Sequence, residues 1–230
     1  MRKLIVITMV LFGFVATANG QIEEKMQKEG VVQGAIYKDG QEIEGYIKKK
    51  GTVSGVTNSN TYAAPWDFQS DIRFIPKDVF EETSKLQAKM YKKYGPKDIE
   101  GYRYEDMEFE SVKYADMRAV GMNMIPKLMF LRRITNNKIS IFYYYQSPGS
   151  VVAGGSMEQE YQNCAKELVV FRKGKEGKVK MVAEGLYAIN IEKELGDCPY
   201  VKEKHERGEY KGRNLESRLE AIYDYNRHCN

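Results

Sequence analysis

The hydrophobic period of this chain changes near Gly185, and that change divides a mainly strand-forming part from a helical one. Before Gly185, short alternating segments bounded by turn residues read as strands; after it, apolar residues recur at about 3.6, the period of a helix. Val31–Tyr37 and Ile43–Ile47 flank Lys38-Asp39-Gly40, where Asp-Gly supplies the positive φ of a tight hairpin. Asp71–Ile75 is a further strand that stops at Pro76. Ile99–Tyr104 and Met107–Val112 divide at Glu105-Asp106, and Leu128–Ile134 and Lys138–Tyr145 flank Asn136-Asn137. Glu167–Arg172 and Val179–Val182 close the series around Gly174 and Gly177. Gly51–Asn60 and Ser147–Ser156 read as surface loops, and residues 21–29 as a polar, frayed lead.

One helix is expected inside the strand region. Over Asp78–Tyr94, Val79, Thr83, Leu86 and Met90 line one face, acids open the segment, lysines close it, and Gly95-Pro96 ends it. Past Gly185, Leu186–Leu195 reads as a helix closed by Gly196. Asp197 is expected to cap a second helix, with Pro199 in its first turn and Gly208 at its end. A third follows Asn214, with Leu215, Leu219, Ile222 and Tyr223 on its buried face. The pattern predicts an α+β fold, a strongly curved antiparallel sheet or partial barrel of about eight to ten strands with helices mainly at the C-terminus. Residues 30–182 would be mainly β and 185–228 helical, in one domain over 21–230.

The first twenty residues constrain the compartment. Arg2 and Lys3 precede an apolar run from Leu4 to Val15, and Ala18-Asn19-Gly20 offers a small-residue cleavage site before Gln21, with cleavage after Ala18 as the alternative. The run is too short for a span of about twenty residues, and no cysteine adjoins the site to receive a lipid. Residues 1–20 are therefore expected to be a signal peptide, leaving a soluble exported chain with no transmembrane segment. Export makes a disulfide natural. Three cysteines allow three pairings: Cys198–Cys229 is favoured because both lie in the helical segment, Cys164–Cys198 competes, and the favoured pairing leaves Cys164 free.

Several chemistries lack their residues. Without residues 1–20, Lys+Arg falls from 36 to 34 against 32 acids, too close to neutral for a nucleic-acid partner. The basic group Arg172, Lys173, Lys175, Lys178 and Lys180 reads as a solvated hairpin tip, with an anionic envelope surface as the other reading. GSVVAGGS at 149–156 resembles a phosphate loop but has Gly155 where the lysine belongs. His205 and His228 are the only histidines, and no CxxC accompanies them, so no metal is expected and no cofactor. Cys198 at a helix start could be a nucleophile, yet no histidine base is placed beside it. Glu105-Asp106 and Glu108-Glu110 are acidic pairs at exposed-looking strand positions, and no catalytic residue emerges. Among the aromatics, Tyr62, Trp66 and Phe68 are candidates to stack on a ligand, whereas Tyr143, Tyr144 and Tyr145 alternate between faces.

The stretches YKDGQEIEGYI (37–47), YGPKDIEGYRY (94–104) and DCPYVKEKHERGEYKGRNLESRLEAIYDYN (197–226) resemble an uncharacterised family of small secreted proteins of Bacteroidetes. The resemblance implies a curled β domain finishing in short helices, and it brings no catalytic residue with it. The expected function is a secreted or periplasmic non-enzymatic binding or structural protein of the bacterial envelope. It would meet an envelope protein or glycan through the sheet or the loops at 51–70 and 147–157. The alternative is an envelope hydrolase whose carboxylates assemble only in the folded chain.

Overall fold

Asp39 and Gly40 both take positive φ, 53° and 72°, and this turn joins β1 (Val31–Lys38) to β2 (Gln41–Lys48) over eight antiparallel residue pairs. The computed structural model describes residues 20–48, 65–116, 125–146, 166–183 and 188–229. Within them β3 (Ile72–Pro76), β4 (Lys92–Tyr94), β5 (Gly101–Tyr104), β6 (Met107–Tyr114) and β7 (Lys127–Thr135) follow in chain order. Then come β8 (Ile139–Tyr144), β9 (Leu168–Lys173) and β10 (Lys180–Met181). All ten strands form one antiparallel sheet in the order β10-β9-β8-β7-β6-β5-β1-β2-β3-β4. Two meanders, β1–β4 and β5–β10, thus meet where β1 pairs with β5.

The sheet rolls without closing. Flat, β3 and β8 would lie six strand spacings apart, roughly 29 Å. Yet Gln69, three residues before β3, holds the backbone of Tyr145, the residue after β8, by two hydrogen bonds of 2.7 Å. Inside the roll, Ile36, Ile47, Phe74, Tyr102, Phe109 and Phe130 share one core cluster. Gly34 and Gly45 face each other across β1 and β2, and a Cβ on Gly45 would meet the Phe74 ring at 2.5 Å, so glycine makes room for that ring.

On the other face of β1–β3, a helix at residues 20–29 (α1) lays Ile22 and Met26 against Val31, Tyr46, Ile75 and Phe80. This i, i+4 apolar pair docks a segment whose sequence reads as frayed. The single helix expected over Asp78–Tyr94 is instead α2 (Lys77–Glu82), a 3-10 turn at Ala88–Met90 and strand β4. Lys25 Nζ donates to the Phe80 and Thr83 carbonyls at the end of α2, Thr83 turns extended, and Lys92–Tyr94 pair with β3. Long-range pairing outweighed local helical spacing.

The C-terminal helices are α3 (Ile191–Leu195), α4 (Pro199–Glu206) and α5 (Leu215–His228), and they cover Ile139, Ile141, Val169 and Phe171. The first begins later than expected because Asn190 Oδ1 accepts from the Lys193 amide; residues 184–187 lie outside the described ones. Asp197 does not cap α4, whose N-cap is Cys198; it accepts instead from Lys173 Nζ at 2.6 Å and the Tyr225 hydroxyl at 2.9 Å. Asn214 caps α5 through the Ser217 amide. The buried face of α5 is rotated from the expected one: Tyr225 is 5% exposed and Tyr223 45%. Cys198 and Cys229 form the disulfide, with Cα atoms 5.6 Å apart. No helix among the described residues is long and apolar enough to cross a membrane. The loops expected at 51–60 and 147–156, and Cys164, lie outside the described residues.

Candidate functional site

Alternation along paired strands gathers charge on one face of the sheet. Tyr37 on β1, Arg103 on β5, Glu108 and Glu110 on β6, Arg133 on β7 and Arg172 on β9 share that face through the cross-strand register. Arg172 is 9% exposed, and its guanidinium crosses β8 over the Phe142 ring, 5.3 Å from the centroid. Its Nη1 meets Glu110 Oε1 at 2.7 Å. Arg133 approaches the other Glu110 oxygen at 3.4 Å and Glu108 at 3.9 Å. The Tyr37 hydroxyl donates to Glu108 at 2.9 Å, and Arg103 pairs with Glu42 at 3.1 Å. Burial, then the Glu108 hydrogen bond and charge, push the Tyr37 phenol up to about 12.

Tyr37, Glu110, Arg133 and Arg172 of this ladder line a groove of about 1130 Å³ that runs from the β1–β2 turn and residues 97–100 to the β7–β8 and β9–β10 turns. Several of its carboxylates are committed within the fold. Asp98 accepts from the Gly95 amide and Glu100 from the Gly40 amide, while Glu42 and Glu110 face guanidiniums. These pairings hold the carboxylates in place, and placed charges and donors suit recognition of a polar ligand.

The aromatic candidates separate. Tyr62 lies outside the described residues. Trp66 and Phe68 share the 3-10 turn Pro65–Gln69 but point to different surroundings. Phe68, half-buried, packs against the inner core: its ring stacks on Phe109 at 5.6 Å and stands edge-on to Tyr104 at 4.8 Å, and its carbonyl accepts from the Tyr102 hydroxyl. Trp66 lines a smaller cleft of about 560 Å³ with Lys93, Lys127, Leu128 and Tyr144. The two rings form no shared platform.

The groove residues have a faint signature in the sequence. Glu108 and Glu110 sit at strand spacing, and Arg172 belongs to the basic group read as a hairpin tip. In the fold Arg172 lies within β9 and is nearly buried, so the solvated-tip reading fails for that residue. No group of three or more His, Cys, Asp or Glu able to hold a metal occurs among the described residues. His228 stacks on Tyr200 at 3.9 Å. Comparison with family models, curated proteins and solved structures finds no match to this chain.

Proposed function

We propose that this chain is an exported, non-catalytic binding protein of the bacterial envelope that holds its ligand in the sheet groove. The observation that carries the reading is the charged floor: Glu110 between Arg172 and Arg133, beneath an open groove of about 1130 Å³. The side chains of this floor are already paired with one another, an arrangement that favours recognition over turnover. Export is supported by the Cys198–Cys229 disulfide, a bond that persists in oxidising compartments, and by the leader-like residues 1–20. The resemblance to secreted Bacteroidetes proteins agrees with it.

The test is capture from an envelope extract on the immobilised protein, with mass analysis of what is bound and what is released. A reproducible envelope ligand recovered chemically unchanged, and lost with Lys138→Glu/Lys175→Glu, supports the reading. Turnover of an envelope glycan or peptide overturns it in favour of a hydrolase. N-terminal sequencing of protein from its native host should begin at Gln21, or at Asn19 after cleavage at Ala18; retention of Met1 overturns export.

A further inference from the structure

The groove is electrically polarised. At the β1–β2 turn and residues 97–100 it presents Asp39, Glu42, Asp98 and Glu100 against Lys38 and Lys97. Its floor and far end present Arg133, Lys138, Arg172 and Lys175 against Glu110 and Glu176. Four acids over two bases at one end thus face four bases over two acids at the other. A cavity with one pole of each sign orients a ligand that carries both charges.

Arg172 supplies the second observation. It is nine-tenths buried, lines the groove, and engages Glu110 through Nη1, yet its Nε–H has no acceptor. A guanidinium taken from water with a donor unmet carries an energetic cost that an oxygen anion relieves, and its planar fork suits a carboxylate. Asn136 and Asn137, exposed on the β7–β8 turn at the same end, add amide donors and acceptors fit for peptide groups.

We infer that the groove binds a short zwitterionic peptide, its terminal carboxylate toward Arg172, Lys138 and Lys175 and its ammonium toward Asp98 and Glu100. A free amino acid carries its two charged groups on a single carbon and cannot address both poles; a peptide of a few residues separates them. This inference rests on the sheet groove being the binding surface.

Isothermal titration of the full chain with tetra-alanine tests it, using the free peptide and its N-acetylated, C-amidated and doubly blocked forms. The free peptide should bind, and blocking either end should weaken it about tenfold, the worth of a charge-assisted contact. Lys138→Glu/Lys175→Glu should weaken the free peptide and abolish its advantage over the C-amidated form. Asp39→Asn/Asp98→Asn/Glu100→Gln should instead abolish its advantage over the N-acetylated form. All five positions are exposed, so the fold should survive these changes. Equal binding of free and doubly blocked peptide, or variants without effect, overturns the inference. So does failure of every peptide while an envelope ligand is still captured, an outcome that leaves the binding reading standing; loss of both overturns both.

Discussion

Gln69 and Tyr145, 76 positions apart in the chain, exchange two hydrogen bonds of 2.7 Å, the side-chain amide of one with the backbone N–H and C=O of the other. Asn226 repeats the arrangement 87 positions from Ile139, with two bonds of 2.8 Å. Both ends of β8 are therefore clipped by carboxamides that imitate a strand neighbour. The first clip holds the rolled sheet; the second seats α5 on it.

Replacing Gln69 with Leu keeps the volume but strands the Tyr145 N–H and C=O in a buried setting. The expected cost is about 2–4 kcal/mol for two unmet backbone groups. A urea titration should show the midpoint falling with an unchanged slope. Asn226→Leu should act similarly, with amide exchange quickening first in α5.

Glu110→Gln should destabilise by about 2–4 kcal/mol, since it leaves Arg172 and Arg133 facing a neutral amide in a partly closed setting. Glu110→Gln combined with Arg172→Met should cost less than the two changes added together. A double-mutant cycle by denaturation measures that coupling.

The hairpins were legible because their signals are local. Asp39-Gly40 and Asn136-Asn137 announce turns from within four residues, and β1, β2, β7 and β8 stand beside them as expected. Asp78–Tyr94 misled because Leu86 and Met90 fit a helical face, yet they pack around Phe80 and Tyr91 while Lys92–Tyr94 pair with β3. Local spacing does not report a strand partner. The groove was illegible for the same reason. Glu110 and Arg172 meet only because β6 to β9 fall in one register, and no window of sequence contains both. Trp66 and Phe68 show the converse: side chains two residues apart, one lining a cleft and one packed against the core.

Reduction of Cys198–Cys229 should lower stability by about 3–4 kcal/mol, from release of a loop spanning 31 positions. Denaturant midpoints with and without reductant measure the effect. Cys198→Ala/Cys229→Ala should fall at least as far, because Cys198 is also part of the helical core.

Phenolate absorbance should reveal a late-titrating group of tyrosines. Burial, reinforced by a neighbouring carboxylate, pushes Tyr37, Tyr91 and Tyr145 up to about 12, beside Glu108, Glu29 and Glu167 respectively. A folded pKa above the unfolded value of 10 means the unfolded chain releases its proton first. Stability is thus full below about pH 10 and lost as pH rises toward about 12. Tyr37→Phe should remove one proton from the late group and shift alkaline unfolding upward.

The junction of the two meanders has a consequence for how the chain reaches this state. Among the described residues, β1 and β5 touch through only four residue pairs, Gly34↔Tyr104 to Tyr37↔Gly101. Each meander assembles from neighbours in sequence, whereas their union closes a long loop and is expected to come last. Until then the apolar edges bearing Ala35, Ile36 and Tyr102 stand open, while the edges of the finished sheet, β4 and β10, are short and carry Lys92, Lys93 and Lys180. Among the described residues, this apolar margin of β1 and β5 is open only in the unfinished molecule. Refolding yield should therefore drop as protein concentration rises, while native protein at the same concentration stays dispersed.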